Sequence, residues 1–543
     1  MALAAVWPTL AQSQDINGET VIVDGVGTSD RVSPWEVSGT LSLLNSGELT
    51  IRNGGKVIVD EYLQVGSWSE GKVSVSDEGS FLSSEADTNI GAYSGGVGHL
   101  EIRSGARVET GRHGQINTTL GGPGTGFVEV NGDDSLWNVA HTLYVGRDGM
   151  GTLLITNHGA VKAAETIVGD SSTAEGTLEL RGGVLETGYL RKGAGDASVV
   201  FGGGTLRAIA DEPNFLRNFN SGEVVLGSEG GSSAHAILID SNIYDIGMPS
   251  ALQGDGSLSK LGEGSLTLSG ENTYTGETVV AEGTLLVNGR SVASSIHTVY
   301  DGATLGGNGA VGHTTVQGGG TLSPGQSPGT LTIEGDLNLE PGAKLLYELG
   351  DPDSDLIKVV GNLVLGGQWT ITLPPGWMGA QQSTYPLMTY QGTLTTGSEP
   401  ALEVSEQSLP VGYSARLDTA SQPGVVMLRF MRLVYAIDAQ AQPAAGGSVA
   451  CSLTSVEHGG ASTCEATAED GYRFSHWSGV CSGEEPVCTL SDIQADQVMV
   501  AHFEQASGPV PAPTPVPLGG PWVLALMSAL LGASAFGYRR QRR

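Results

Sequence analysis

The sequence of 543 residues predicts an all-β chain, most of which forms a parallel β-helix. Three observations predict this fold: glycine is abundant at 83 residues, aliphatic and polar residues alternate in short runs, and a glycine-led unit recurs at a nearly constant interval. Alternation places every second side chain on one face of a strand. A constant interval favours a solenoid, because one coil buries its aliphatic face only when neighbouring coils stack on it.

The chain begins with an apolar stretch, MALAAVWPTLAQSQ, which indicates a signal-peptide remnant over residues 1–14. The small side chains of Thr9 and Ala11 suit cleavage after Ala11. No positive region precedes the stretch and its apolar part is short. The alternatives are therefore a true start further upstream, or a plain apolar N-terminus.

The repeats predict a β-helix of coils about 25 residues long over residues 15–250. Alternating aliphatics such as Leu100 and Ile102 are expected to point inward, and a glycine at each corner to supply a positive φ. The opening glycines, spaced by 24, 27, 28, 25 and 25 residues, are Gly47, Gly71, Gly98, Gly126, Gly151 and Gly176. A second beat with similar spacing comprises Val65-Gly66, Ile90-Gly91, Val145-Gly146 and Val168-Gly169.

Another pattern, between Gly254 and Gly289, resembles the passenger-associated transport repeat of autotransporter proteins. The matching residues are Leu258, Lys260-Leu261-Gly262, Gly264, Leu266-Thr267-Leu268, Gly270, Asn272-Thr273-Tyr274-Thr275-Gly276 and Gly283-Thr284-Leu285. The resemblance extends to about Leu373, and more loosely to the earlier repeats. It implies a right-handed β-helix exposed outside the cell, which we expect to continue over residues 251–430.

Residues 431–506 resemble the divergent internalin-type B-repeat module of bacterial surface proteins. The matching residues are Gly446-Gly447, Gly471-Tyr472-Arg473-Phe474, His476-Trp477-Ser478-Gly479 and the closing run Val498 to Phe503. All 4 cysteines of the chain lie here: Cys451, Cys464, Cys481 and Cys488. They favour two disulfides in an oxidising compartment, over a zinc site that would lack any C-x-x-C pair. Short connections favour Cys451 with Cys464 and Cys481 with Cys488, although three pairings remain open.

The end of the chain indicates membrane insertion. A Pro-rich linker over residues 507–520 leads to residues 521–543, where the run from Trp522 to Tyr538 carries no charge. Such a run is long enough to span a bilayer, and the arginines after it, Arg539 and Arg540 among them, predict a cytoplasmic end.

This tail resembles the C-terminal sorting signals of Gram-negative bacteria whose motif begins Ile-Pro-Thr-Leu. The corresponding residues are Val516, Pro517, Leu518 and Trp522, followed by Arg539 and Arg540. The threonine of the motif is missing and Gly519-Gly520 is present, so the sorting class stays open. The resemblance implies the membrane and a processing protease as partners.

Charge excludes one class of function. The formal net charge of −32 argues against nucleic-acid binding, which depends on clustered Lys and Arg. No catalytic, cofactor-binding or metal-binding residue is expected. Gly325-Gln326-Ser327-Pro328-Gly329 matches a nucleophile elbow, but a strand follows where the elbow requires a helix. Asp351, Asp353 and Asp355 begin like an EF-hand loop, yet the glycine and glutamate of that loop are missing.

Together these features predict a non-enzymatic, exported, adhesin-like or structural protein at the cell surface or outer membrane of a Gram-negative bacterium, initially held by one C-terminal transmembrane segment. An extracellular glycan or cell-surface ligand is its expected partner. The alternative is a β-helix protein that binds or cleaves polysaccharides. Such an enzyme should collect carboxylates, a basic group and aromatics on one coil face, whereas the histidines, His113 and His141 among them, look scattered.

Overall fold

The computed structural model describes residues 12–118, 124–227, 236–325, 328–349, 354–366, 369–372, 384–397, 402–404, 409 and 411–508, and only the backbone of 369–372 and 402–404. The chain divides into two compact units between Leu433 and Val434. The described residues form strands and no helix, so the predicted all-β fold is confirmed for them.

The first unit winds as a solenoid with three strands per coil, and strands of neighbouring coils pair in parallel. We call its three sides face 1, face 2 and face 3. Face 1 consists of Thr20–Asp24, Gly47–Arg52, Glu70–Ser76, Val97–Arg103, Thr125–Asn131, Met150–Thr156, Glu175–Arg181, Asp196–Phe201, Val224–Leu226 and Gln253–Gly254. Face 3 consists of Gln14–Asn17, Leu41–Leu44, Leu63–Val65, Thr88–Ala92, Gly114–Thr118, Leu190–Lys192 and Leu216–Arg217. The long strands Leu136–Val145 and Ala160–Val168 bend from face 2 onto face 3.

Face 2 continues into the second half of the solenoid. Its other strands are Trp35–Val37, Lys56–Val59, Phe81–Ser84, Arg107–Thr110, Val184–Thr187, Thr205–Ala208, Ile237–Asp240, Leu258–Leu261, Thr278–Val280, His297–Val299, Thr314–Val316, Leu337–Leu339, Leu363–Leu365 and Leu394–Thr396. A second sheet there comprises Ile246–Met248, Ser265–Leu268, Thr284–Val287, Thr304–Gly307, Thr321–Pro324, Lys344–Leu346, Trp369–Thr372 and Leu402–Val404. A third comprises Arg290–Ser291, Ala310–Val311, Thr330–Ile333, Leu356–Val359 and Thr384–Tyr390. The predicted parallel β-helix is confirmed; its right-handed winding stays a prediction.

The coil register follows the opening glycines of the repeat. Gly47 pairs with Gly71, Gly71 with Gly98, and the series continues through Gly126 and Gly151 to Gly176. The interval between these glycines is therefore the length of one coil. Aliphatics placed in register behind them form continuous buried columns, for example Val73, Leu100, Val128, Leu153 and Leu178.

The expected positive φ at corner glycines is confirmed for the second beat, and the opening glycines serve a different purpose. Positive φ occurs at the second beat, for example at Gly91 (φ 75°) and Gly146 (φ 72°), but not at Gly98 or Gly151. Gly98 and Gly151 are glycines because backbone atoms of the preceding turn lie where a side chain would start. A methyl group on Gly98 would lie 2.2 Å from the backbone nitrogen of Gly91, and one on Gly151 2.2 Å from that of Gly146.

One core column contains a lysine. Lys260 stands in register between Ile239 and Val280, and its side chain is fully buried. Its ammonium donates to the carbonyls of Leu261 and Gly262 at 2.8 Å and of Glu282 at 3.2 Å. Burial lowers the pKa of Lys260 to about 8. The turn after this strand therefore has its carbonyls satisfied from inside the core.

The solenoid ends in antiparallel pairing. Val425–Arg432 pairs antiparallel with both Thr384–Tyr390 and Tyr413–Asp418, so the parallel winding does not run to the last strand of the unit. The strands Val425–Arg432 and Tyr413–Asp418 cover the edge of Thr384–Tyr390 in the third sheet.

The second unit is a small β module of two sheets. One sheet comprises Ser455–Glu457, Val434–Gln442, Gln497–Gln505 and Tyr472–Gly479, and the other Gly447–Cys451, Gly460–Ala468 and Val487–Ile493. Its small core contains Trp477, whose indole N–H donates to the carbonyl of Glu485 at 3.0 Å. The structure bonds Cys451 to Cys464 and Cys481 to Cys488. A zinc site is thereby excluded, because no thiol is free.

Candidate functional site

The candidate site is a groove of about 610 Å³ where face 1 turns into face 2, which we call the corner groove. Its floor consists of Lys56, Phe81 and Arg107, which occupy equivalent positions on three consecutive strands of face 2. The two cationic side chains are exposed and the aromatic ring between them is half-buried. These side chains point outward because the next residue of each strand, such as Leu82, fills the core.

The wall of the corner groove is formed by the turns that connect the two faces. Glu78, Asp133 and Asp134 project from these turns, and all three are exposed. Left-handed backbone at Gly79 (φ 83°) and Asp134 (φ 60°) produces the tight reversals. Neighbouring turns are joined by serine hydroxyls, which accept the backbone N–H of the turn one coil before.

Those serines are Ser80 and Ser135. Ser80 Oγ accepts the N–H of Gly54 at 3.0 Å, and Ser135 Oγ accepts that of Gly105 at 3.1 Å. Both serines are buried. The wall of the corner groove is therefore held in place coil by coil.

Lys56 and Arg107 differ from those cations of the solenoid that bridge neighbouring coils. Arg52 pairs with Asp24 at 2.8 Å, and Lys162 with Glu186 at 3.1 Å, each bridging neighbouring coils. Lys56 and Arg107 have no carboxylate within 4.0 Å among the residues that the structure describes. The corner groove thus presents two cations without an ion-pair partner and several exposed carboxylates around an aromatic ring, which suits a polar ligand with hydroxyl groups and anionic groups.

A second cluster lies on face 3. The carboxylate of Asp87 accepts the backbone N–H of His113 at 3.2 Å and the side-chain amide of Gln115 at 3.0 Å. Arg147 donates to the amide oxygen of Gln115 and lies 5.0 Å from the ring centre of Tyr144. This polar network spans three coils.

The expected scatter of the histidines is wrong in part. The rings of His113 and His141 lie 5.8 Å apart on face 3, and His158 Nδ1 lies 2.7 Å from Asp133 in the wall of the corner groove. The members of each pair are about one coil apart in sequence. Aligning the repeats on their opening glycines puts the two members of each pair at equivalent positions of neighbouring coils. Both pairs could therefore have been predicted from the repeat.

An exposed aromatic pair stands at the corner between face 3 and face 1. Trp68, 64% exposed, stacks on Tyr93 of the next coil with ring centres 4.7 Å apart. Both residues have left-handed backbone, with φ of 64° and 66°. Bulky residues rarely adopt this conformation, so this pair is a further candidate contact surface.

The motifs that resemble a nucleophile elbow and an EF-hand loop have structural roles in their described parts. A strand, Thr330–Ile333, follows Gly329 in place of the helix that an elbow needs; Gln326 and Ser327 lie outside the described residues. The carboxylate of Asp355 accepts the N–H groups of Gly329 at 2.8 Å and Glu348 at 2.7 Å, which is a turn contact. Asp351 and Asp353 also lie outside the described residues.

The sorting-signal residues Val516, Pro517, Leu518, Trp522, Arg539 and Arg540 lie outside the described residues, as does most of the signal-peptide remnant. Within the described ranges, no helix is long and apolar enough to cross a membrane. The same ranges contain no group of three or more His, Cys, Asp or Glu side chains arranged to hold a metal ion.

Comparison with known proteins extends these observations. A family model described as the passenger-associated-transport-repeat matches residues 258–287, and one described as the divergent InlB B-repeat domain matches residues 437–507. The adhesin BmaC autotransporter of Brucella suis biovar 1 (strain 1330) is 28% identical over 337 residues, which cover 55% of this chain and 10% of that protein.

An extracellular serine protease of Serratia marcescens is 46% identical over 61 residues, covering 11% of this chain and 6% of that protein. The chain therefore spans a tenth or less of the length of these curated relatives. A crystal structure of a TibC-catalysed, hyper-glycosylated TibA fragment is 13% identical and covers 72% of this chain and 99% of that one. The TM-score of this comparison is 0.20.

The fold and the matches together show which proteins this chain is similar to. The first unit is a parallel β-solenoid that contains a passenger-associated transport repeat, and the second matches a divergent InlB B-repeat domain. The chain is thus similar over part of its length to autotransporter passenger proteins, one of which is named an adhesin.

Proposed function

We propose that this chain is a non-enzymatic adhesive element of the bacterial cell surface, and that the corner groove is where its solenoid contacts an extracellular glycan. The observation that carries the proposal is the pair of unpaired cations, Lys56 and Arg107, on either side of Phe81 in a groove whose wall is fixed coil by coil. A rigid groove loses little conformational freedom when a ligand binds.

Attachment to the cell is part of the same proposal. The uncharged run from Trp522 to Tyr538 holds the chain in a membrane, and a processing protease acts on the motif around Val516, Pro517 and Leu518. The support for this is the sequence pattern of a Pro motif, an apolar run and an arginine tail.

Polysaccharide cleavage is the second candidate, because the face 3 cluster gathers a carboxylate, histidines, a tyrosine and an arginine. The contacts disfavour it. Asp87 accepts the backbone N–H of His113 and the side-chain amide of Gln115, and Arg147 donates to Gln115 and lies over the ring of Tyr144. The carboxylate and the guanidinium are therefore held by other groups of the chain. Nδ1 of His113 is buried without a hydrogen-bond partner among the described residues, so no carboxylate is paired with a histidine ring in this cluster to transfer a proton.

Surface exposure gives a direct test. Protease added to intact cells that produce the full chain is expected to remove the solenoid, whereas a cytoplasmic marker in the same cells stays intact. Deleting residues 521–543 is expected to move the protein from the membrane fraction to the soluble fraction. Full protection of the solenoid in intact cells, with digestion after lysis, would contradict the proposal.

A further inference from the structure

We infer that the corner groove binds a glycan with a carboxylate on alternate sugars, with the glycan chain running along the solenoid axis. The carboxylates of two such sugars lie on Lys56 and Arg107, and the sugar between them packs on Phe81. The inference rests on the proposed function and names the ligand of the same site.

The distance between neighbouring coils determines how far apart Lys56 and Arg107 lie. Lys56 pairs in register with Phe81, and Phe81 with Arg107, so the two cations are two coils apart. Strands in a sheet are spaced by about 4.8 Å, which places the two cations about 10 Å apart along the axis. One pyranose unit extends a glycan by a length similar to one coil. Acidic groups on every second sugar therefore match every second coil.

The two cations of the corner groove are available to bind an anionic ligand. In a chain with a net charge of −32, basic side chains are scarce, and others near the corner groove are paired, such as Arg52 with Asp24 and Lys72 with Glu101. Lys56 and Arg107 lack such a partner within the described part of the chain. A guanidinium binds a carboxylate through two parallel hydrogen bonds, and an ammonium binds it as a point charge.

The carboxylates of the groove wall determine how closely acidic groups can follow one another along the bound glycan. Glu78 and Asp134 line the groove as exposed carboxylates that accept hydrogen bonds from sugar hydroxyls, and Asp133 beside them also contacts His158 Nδ1 at 2.7 Å. They also repel a polymer that carries a negative charge on every sugar. The corner groove therefore favours alternating acidic and uncharged sugars over a continuous polyuronate.

The ring of Phe81 supports the middle sugar. It is half-buried on the groove floor, so one surface of the ring remains available to a ligand. The C–H side of a pyranose ring packs on such an aromatic surface, and its hydroxyl groups stay free to reach the wall.

The test measures binding of the full chain to three oligosaccharide probes of equal length: alternating glucuronic acid and N-acetylglucosamine, the same oligosaccharide with its carboxyl groups reduced to alcohols, and a polyuronate with an acid on every sugar. The alternating acid is expected to bind best. The double variant Lys56→Gln/Arg107→Gln is expected to weaken this binding by at least about 10-fold, since each lost charge-assisted contact accounts for that much. Phe81→Ser is expected to weaken binding to all three probes.

The matched control is Lys162→Gln, which removes a lysine of face 2 that is already paired with Glu186 outside the groove. This variant is expected to bind like the unmodified chain, and the thermal unfolding midpoints of all variants verify that they fold. Equal binding of the acidic and carboxyl-reduced probes, or unchanged binding by the double variant, would overturn the inference.

The failure of the inference is distinguishable from that of the proposed function. Binding of a neutral glycan that is insensitive to Lys56 and Arg107 overturns the inference and leaves an adhesive surface protein. Protection from external protease, together with no binding of any glycan, overturns both.

Discussion

Replacing Gly98 by alanine is expected to lower the free energy of unfolding of the solenoid by about 3 kcal/mol, a large effect for one methyl group. The new Cβ would lie 2.2 Å from the backbone nitrogen of Gly91 and 2.4 Å from the carbonyl oxygen of Val65. Both contacts are with backbone atoms of strands held in the parallel ladder, so neither can move aside without breaking coil-to-coil hydrogen bonds. Urea unfolding followed by circular dichroism measures the loss.

Gly95→Ala is the matched control, three positions earlier in the same turn. Gly95 has a φ of 79° and nothing within 4 Å of an added Cβ, so alanine there is expected to cost about 1 kcal/mol through backbone strain alone. Equal losses in the two variants would show that close backbone contact does not determine where the opening glycines occur.

Acid is expected to destabilise the second half of the solenoid through His297. The side chain is fully buried in register between Thr278 and Thr314, and neither ring nitrogen has a hydrogen-bond partner among the described residues. Burial lowers its pKa from 6.5 to about 4, and the backbone of His313 opposes this shift. The unfolded chain therefore binds a proton at a higher pH than the folded chain does.

The sign of the pH dependence follows from that difference. The contribution of neutral His297 to the free energy of unfolding is fully present above pH 6.5. It is lost as the pH falls from 6.5 to about 4. The loss amounts to about 3 kcal/mol at about 1.4 kcal/mol per pKa unit. Unfolding measured at pH 7 and pH 4 is expected to show this loss in the unmodified chain and a loss smaller by that amount in His297→Leu. His313→Gln, which replaces an exposed ring, is the control. Parallel curves for the unmodified chain and His297→Leu would contradict the account.

The fold was largely predictable because each coil passes through one corner that excludes a side chain. The interval between Gly47, Gly71 and Gly98 therefore gives the coil length directly, and the register follows. The physical role of these glycines was not predictable. A sequence does not distinguish a glycine that needs a positive φ, such as Gly91, from one that needs space, such as Gly98.

The corner groove was not predictable from local motifs. Lys56, Phe81 and Arg107 are separated by whole coils and belong to no local motif, so only the register brings them together. Whether Lys56 and Arg107 form ion pairs depends on which carboxylates of the neighbouring turns lie close to them. The sequence alone does not show these distances. Asp133-Asp134 lies in a turn between two strands, and that turn forms part of the groove wall.

The most direct test of the central claim, that glycine-led coils stack in parallel register, is cross-linking on face 1. Ser74 pairs with Glu101 on the next coil, and Glu101 with Glu129 on the one after. Ser74→Cys/Glu101→Cys is expected to form a disulfide under mild oxidation, because neighbouring strands bring the two Cα atoms within the range of about 4.4–6.8 Å that a disulfide spans. Ser74→Cys/Glu129→Cys, two coils apart, is expected to form none. A disulfide in the second pair, or none in the first, would contradict the stacked register.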